Sequence, residues 1–276
     1  MRKTICLTPS VLNEAKALER FFKHHSWVDE ILVVDSGSTD DTEEICKKYG
    51  RRIIKCPLAA NHNKRSAFVV PQVKSDWVFF IDPDEFISDE LKKEIEGVLN
   101  DESNPYQAFE IKRVNFFMNA PLRRGGWSGY GLKFFRRDSV SFPEDAFHEK
   151  PVIKGKVGRL KNEVFHYSNP NIHWMLEKFN YISEFDDKEY FNRYGLLTDR
   201  KLKLLLVSRP FKNFWKCYIK KKGYKEGLTG FIYAATIWAF DVIRICKYAE
   251  KYLVKNPYIT PADKLPDPWE CRKAES

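Results

Sequence analysis

The six cysteines form no C-x-x-C pair and show no zinc-ligand spacing, so neither a dithiol redox centre nor a cysteine-built zinc module is expected. Scattered thiols in a chain of this size read as reduced residues, mostly small buried apolar groups. No apolar run reaches the roughly 20 residues needed to cross a bilayer. The stretch 231–240, apolar except for Thr236, is too short. No apolar leader opens the chain either, because Ile5-Cys6-Leu7 is followed closely by Pro9; no signal peptide is expected, and the chain is placed on the cytoplasmic side. Internal repeats and low-complexity tracts are absent.

Acid is missing where base is richest. Residues 200–225 hold ten Lys or Arg and no Asp or Glu, against a formal charge of +9 for the whole chain, so the remainder is close to neutral. That argues against a nucleic-acid groove spread over the fold, and for one local contact with something anionic.

What is present is ample core material, 43% hydrophobic and 15% aromatic, enough for one large domain or a domain with an appendage. Strands are expected at residues 4–7, 30–35, 52–55 and 77–81. Helices are expected at 17–22, 43–49 and 66–73, with residues 61–65 as a polar, basic loop. This alternation predicts an α/β fold with a parallel, doubly wound sheet. A helix at 89–99 follows, then strands at 108–115 and 132–136 around the Gly- and Arg-rich loop 123–127. A further strand ends in Val164-Phe165-His166-Tyr167, and a helix covers 172–190.

Two amphipathic segments close the chain. In the first, Phe211, Phe214, Trp215, Tyr218 and Ile219 fall on one helical face, with Lys212, Lys216 and Lys220 on another. In the second, Asp241, Arg244, Tyr248 and Lys251 mark a polar stripe. The expected organisation is a catalytic domain at 1–199, a basic amphipathic segment at 200–255 and a Pro-rich tail at 256–276. A basic helix with aromatic residues opposite its lysines suits an anionic membrane surface, the alternative being that its aromatic face packs on the domain.

The chemistry gathers at strand ends. Trp77-Val78-Phe79-Phe80-Ile81 is a run of the kind a strand buried on both faces needs, and it ends in Asp82-Pro83-Asp84-Glu85. Carboxylates there lie in the crevice where open α/β sheets keep their ligands. Asp82 and Asp84 on a stiff backbone suit a hard divalent cation that also touches phosphate oxygens; the alternative is a solvated turn whose Asp84 or Ser88 caps the next helix. Asp35 ends another buried strand, where it could accept from a nucleobase or ribose, or serve as a turn residue. Lys64 and Arg65 could neutralise phosphates or be a solvated pair. His148-Glu149 and His166 complete the set.

Together, Asn13-Glu14, Val34-Asp35-Ser36-Gly37-Ser38-Thr39-Asp40 and Asp82-Pro83-Asp84-Glu85 resemble the family 2 glycosyltransferases of the GT-A fold. Gly126-Trp127, Phe134-Phe135-Arg136-Arg137, His148-Glu149, Gly158-Arg159-Leu160 and His166-Tyr167-Ser168 are similar to the bacterial branch that adds glucose to the lipopolysaccharide inner core. The resemblance implies a Rossmann-like GT-A domain with a mixed, mainly parallel sheet and helices on both faces, followed by C-terminal amphipathic helices. It implies a nucleotide-sugar donor such as UDP-glucose and a saccharide or glycolipid acceptor at the inner face of the membrane. It also implies Asp35 at the base, Asp82, Asp84 and His166 on Mn²⁺ or Mg²⁺, Glu149 as general base, and Pro9, Asn13, Glu14, Lys64, Arg65, Asp82, Trp127 and Arg136 as donor contacts.

The chain departs from the family pattern in carrying Pro83 between the two aspartates and in a loop around Lys64 shifted by about a residue. Two other readings are a sugar-nucleotide nucleotidyltransferase, which would open with a Gly-rich phosphate loop where Thr8-Pro9-Ser10 stands, and a non-catalytic sugar-nucleotide binding protein, which would have shed its metal or base residues.

Overall fold

The computed structural model describes residues 2–56, 62–143 and 151–252. In chain order the elements are β1 (Ile5–Leu7), β2 (Ser10–Val11), α1 (Ala15–His24), β3 (Glu30–Asp35), α2 (Thr42–Lys48), β4 (Arg52–Lys55), α3 (His62–Val69), β5 (Trp77–Phe79), β6 (Glu85–Ile87), α4 (Asp89–Asn100), β7 (Tyr106–Phe117), β8 (Ala120–Leu122), β9 (Gly129–Arg136), β10 (Val140–Ser141), β11 (Val152–Ile153), β12 (Lys156–Asn169), α5 (Ile172–Tyr194), α6 (Asp199–Trp215) and α7 (Gly227–Tyr252). The Pro-rich tail lies outside the described residues.

The main sheet runs β2-β3-β1-β5-β9-β7-β12-β6, with β4 beside β3 and β8 beside β7. The first half is parallel, as the strand–helix alternation predicts. Antiparallel β9 joins β5 to the second half, making the sheet mixed. Side-chain alternation sorts each strand between two apolar layers. Ile5, Leu7, Ile31, Val33, Trp77, Phe79 and Phe134 enter one core; Cys6, Leu32, Val34, Val78 and Phe135 enter the other. Leu18, Phe21 and Phe22 of α1 and Leu91, Ile95 and Leu99 of α4 cover the first face. Val69 of α3 covers the second. Helices therefore lie on both faces, and the strands read as near-continuous apolar runs because both sides are buried.

Several local expectations shift. The apolar run at 77–81 forms a strand only to Phe79, and Ile81 carries the chain off the sheet towards Asp82. The expected loop at 61–65 is in its described part already the first turns of α3, so Lys64 and Arg65 sit on a helix. The segment after Asp84 first makes the short edge strand β6, which pairs with β12, before α4 begins. Ser88 caps α4 by accepting from the Leu91 N–H at 3.2 Å, a bond worth about 1 kcal/mol.

By contacts the chain forms two compact units, residues 1–174 with 217–233, and 175–216 with 234 onward; the expected boundary at 199 lies inside the second. Within the first unit, Gly223 and Gly230 allow backbones to touch: a Cβ on Gly230 would lie 2.0 Å from the Gly223 carbonyl oxygen. Within the second, the expected polar stripe of α7 is partly internal, because Asp241 and Tyr248 are buried. Asp241 accepts from Asn213, with the Arg209 guanidinium at 3.5 Å, and Arg209 and Arg244 flank the Tyr190 ring at 4.7 and 5.1 Å. The helical stretch Gly223–Tyr252 has a mean hydropathy of 1.4 over its most apolar window. By length and composition it suffices to cross a membrane, because Val242, Ile243 and Ile245 extend an apolar character that the run 231–240 alone does not carry.

Candidate active site

Sequence and topology bring three donors together. Asp82 and Asp84 follow β5, and His166 comes from β12, which pairs with β6 so that His166 faces Glu85. One ligand atom from each of Asp82, Asp84 and His166 lies within 4.8 Å of the others. The hydrogen bonds around the histidine fix its tautomer. Asn115 donates its amide to the Trp127 carbonyl at 2.8 Å, which turns its own carbonyl oxygen towards His166, where it accepts from Nδ1–H. The lone pair of His166 Nε2 then points at Asp84 Oδ2, 3.2 Å away. Two electron-rich atoms held this close need a cation or a proton between them. An imidazole whose second nitrogen is oriented by an amide, beside two carboxylates, is a donor set that fits a divalent cation.

The local field is consistent with that. Desolvation by the surrounding protein, then the charge of Glu85, raises the Asp82 carboxyl above the usual range, although the residue keeps an exposed side and lines a cavity. Glu14, on the loop before α1, is pushed up to about 7 by partial desolvation and then by the nearby carboxylates Asp84, Asp82 and Asp40. Too much negative charge has gathered for all of these groups to ionise comfortably without a cation.

Beside the carboxylates lies a cavity of about 580 Å³ lined by Thr8, Arg65, Asp82, Arg113, Trp127 and Lys133, among others. Three cations converge on it. Arg113 and Lys133 are held by Glu85, whose side chain is fully buried. Thr8 Oγ1 is buried without a hydrogen-bond partner among the described residues. Trp127 is braced by stacking on Tyr233, ring centres 5.2 Å apart and planes at 7°. A cavity lined by one carboxylate, three cations and an aromatic ring suits a phosphorylated ligand with a metal ion on its phosphates.

The other expected site residues fall in different places. Asp35 is buried at the end of β3, and its Oδ1 accepts from the N–H groups of Ser38 at 2.9 Å and Gly37 at 3.3 Å; the tight turn uses Gly37 at a φ of 107°. Asn13 ties two loops together, accepting from the Thr39 N–H at 2.7 Å while its own N–H donates to Ser38 Oγ. Pro9 separates β1 from β2, and its carbonyl accepts from the Val34 N–H. Arg65 lines the cavity and Lys64 does not.

Arg136, expected as a donor contact, does not line this cavity. It pairs with Trp77 at the start of β5, the end of the strand away from Asp82, and its guanidinium lies 5.2 Å from the Trp77 ring centre. Glu149 and His148 lie outside the described residues. Arg113, Asn115 and Lys133 were not expected in the site; Lys133 stands out as a cation between Leu132 and Phe134 in β9, while Arg113 and Asn115 are lost among the other polar residues of β7.

The family description Glycosyl transferase family 2 matches residues 10–148. An uncharacterized glycosyltransferase of Rickettsia felis is 28% identical over 275 residues, covering 95% of this chain and 94% of that protein. One from Rickettsia prowazekii is 29% identical over 245 residues, covering 84% and 82%. Among solved structures, glucosyl-3-phosphoglycerate synthase of Mycobacterium tuberculosis, in complex with Mn²⁺, uridine diphosphate and glucosyl-3-phosphoglycerate, is 18% identical with a TM-score of 0.41 over 71% of this chain and 82% of that one. Its complex with phosphoglyceric acid is 22% identical with a TM-score of 0.36 over 49% and 57%.

Proposed function

Since the chain belongs to glycosyl transferase family 2, we propose that it is an inverting, metal-dependent transferase that moves a hexose, glucose in the first instance, from a UDP-sugar to a hydroxyl of a cell-envelope saccharide or glycolipid of the lipopolysaccharide-core kind. The observation that carries this reading is the Asp82–Asp84–His166 donor set, whose Asp82 also lines a cavity walled by Arg65, Arg113 and Lys133. A divalent cation, Mn²⁺ or Mg²⁺, held by those three residues would neutralise charge on the departing diphosphate. Arg65 and the Glu85-held pair Arg113 and Lys133 orient the phosphates, and Trp127 forms the aromatic wall beside them. The acceptor oxygen forms its bond to the anomeric carbon as the carbon–oxygen bond to the diphosphate breaks and its electron pair leaves with the phosphate oxygen. The acceptor proton passes to the Glu149 carboxylate.

Glu149→Gln separates the roles. With UDP-glucose, Mn²⁺ and an envelope-derived acceptor, it is expected to abolish transfer while UDP affinity stays within about threefold, whereas Asp84→Ala weakens Mn²⁺-dependent UDP binding. Full turnover by Glu149→Gln would remove the base from this reading.

The second unit supports attachment to an anionic bilayer surface. On α6, Leu204, Val207, Phe211 and Trp215 recur at helical spacing and are 67%, 60%, 61% and 56% exposed, with Arg200, Lys201, Lys203, Lys212 and Lys216 on the same helix and at its end. Each cation near such a surface contributes about 1 kcal/mol. Vesicles containing phosphatidylglycerol are expected to pellet the protein, and 1 M NaCl in the assay to release it; retention through alkaline carbonate extraction would instead make Gly223–Tyr252 a spanning helix.

A further inference from the structure

A second cavity, of about 620 Å³, is bordered by Asp84. Its wall follows from strand register. Phe165 is opposite Phe86 in the β12–β6 pair, while the neighbouring pair is His166 and Glu85. Because side chains alternate across a strand, His166 and Glu85 share one face of the sheet and Phe86, Phe165 and Tyr167 share the other. Phe116 of β7 joins the aromatic face, with its ring centre 4.3 Å from that of Tyr167. Tyr167 also meets Phe86 edge to face at 5.6 Å. Tyr167 is 45% exposed, so the wall offers an uncovered aromatic ring rather than a closed core.

The rim is polar and mostly acidic. Asp84, Asp89 and Glu90 line the cavity along with Arg20 and Asn119. Asn119 follows Met118 in a turn where both have left-handed φ, 62° and 51°. His24 also lines it, but its Nε2 is used by the Ile87 carbonyl at 2.8 Å. Three carboxylates against one guanidinium disfavour a phosphate or carboxylate ligand. The same groups accept hydrogen bonds from hydroxyls, Arg20 and Asn119 donate them, and the exposed ring takes the C–H face of a pyranose. An aromatic wall with a few convergent polar groups is how small-ligand pockets combine affinity with orientation.

We propose that this cavity is a saccharide-binding subsite, selective for an uncharged sugar unit. Resting on the reading of the first cavity as the donor site, the unit it takes belongs to the acceptor, since Asp84 borders this cavity and Asp82 the donor one. The Tyr167 N–H donates to the Asp84 carbonyl at 3.0 Å, so the element that grips the acceptor also fixes the backbone of a metal-site residue.

The test uses the full chain and ligand-observed NMR with cellobiose, lactose and N,N′-diacetylchitobiose as probes, with UDP and Mn²⁺ binding followed by calorimetry. At least one disaccharide is expected to bind, with affinity falling tenfold or more in Tyr167→Ala, surviving in Tyr167→Phe, and unaffected by saturating UDP and Mn²⁺. Asn119→Gly, which keeps the left-handed turn and removes only the amide, is expected to weaken the same ligand at least threefold and serves if Tyr167→Ala does not fold. Failure of all three probes to bind, binding unchanged in the two truncating variants, or displacement by UDP overturns the proposal. Loss of UDP and Mn²⁺ binding alongside intact, Tyr167-dependent sugar binding would overturn the donor-site reading and leave the saccharide subsite standing.

Discussion

The backbone N–H of Asp82 donates to the carboxylate of Glu85 at 3.1 Å, while the Glu85 N–H donates back to the Asp82 carbonyl at 2.9 Å. This reciprocal pair closes the turn around Pro83, so Asp82 and Asp84 leave the sheet on a backbone with little freedom. The same carboxylate accepts from Lys133 and Arg113, so one fully buried acid sets both the Asp82–Asp84 turn and the cationic wall.

Replacing Glu85 by Gln keeps the shape and removes the charge, leaving Lys133, which is largely buried, without its counterion. Breaking a buried ion pair by neutralising one partner costs on the order of 3 kcal/mol. Urea unfolding monitored by tryptophan fluorescence is expected to show a loss of about that size; a midpoint equal to wild type would mean that Glu85 is not the anchor.

Asn115 orients His166 without itself belonging to the donor set. Partners of this kind contribute about 10- to 100-fold in metal affinity, so Asn115→Leu is expected to weaken Mn²⁺ binding by that factor in calorimetry, and His166→Ala at least as much. An unchanged affinity in both variants would take His166 out of the site.

On the first cavity's wall, Arg65→Ala is expected to weaken UDP binding about tenfold, and Lys64→Ala and Arg136→Gln to change it less than twofold. The reasoning is placement alone: Arg65 lines the cavity, whereas Arg136 lines a separate one with Asp76 and Lys154. Fluorescence titration with UDP in the presence of Mn²⁺ decides it.

Acid should loosen the region around β6. His25 is buried, donates from Nδ1 to the Phe21 carbonyl at 3.0 Å and accepts at Nε2 from the Ile87 N–H at 3.3 Å, an arrangement only the neutral ring can make. Burial, with the nearby His24 adding to it, pushes its pKa down to about 3. The unfolded chain therefore takes up this proton near the ordinary histidine value, and the folded chain only far below it. The stabilisation is fully present above pH ~6.5 and is lost as pH falls from there towards 3, by up to about 1.4 kcal/mol per unit. Melting between pH 7 and 5 is expected to fall more steeply in wild type than in His25→Leu; parallel slopes would assign acid sensitivity elsewhere.

Much of the parallel half of the sheet was legible in the sequence, because a strand buried on both faces must be apolar throughout and the crossover helices are amphipathic. The run at 30–35 became β3 at those residues; β4 formed at 52–55 as expected, but as a partly exposed strand with Arg52 and Lys55 around two isoleucines. The second half was less legible. β12 is a 14-residue strand in which buried and exposed positions mix, since one part pairs with β6 and all of it runs along β7. Edge strand β6 has three residues, too few for any periodicity. Lys64 and Arg65 carry no sequence signal of their helix, because polar side chains on the outer surface of a helix look the same as those of a turn.

By itself the sequence determined the composition of the strand ends: which of them carry carboxylates, and that Asp82 and Asp84 are spaced for one cation on a stiff backbone. Only the tertiary structure decided which distant side chains join them. His166 lies far along the chain, and nothing local to it distinguishes a histidine aimed at Asp84 from one facing solvent. Its position is set by the β12–β6 register and its tautomer by Asn115, and both are properties of neighbouring strands rather than of neighbouring residues.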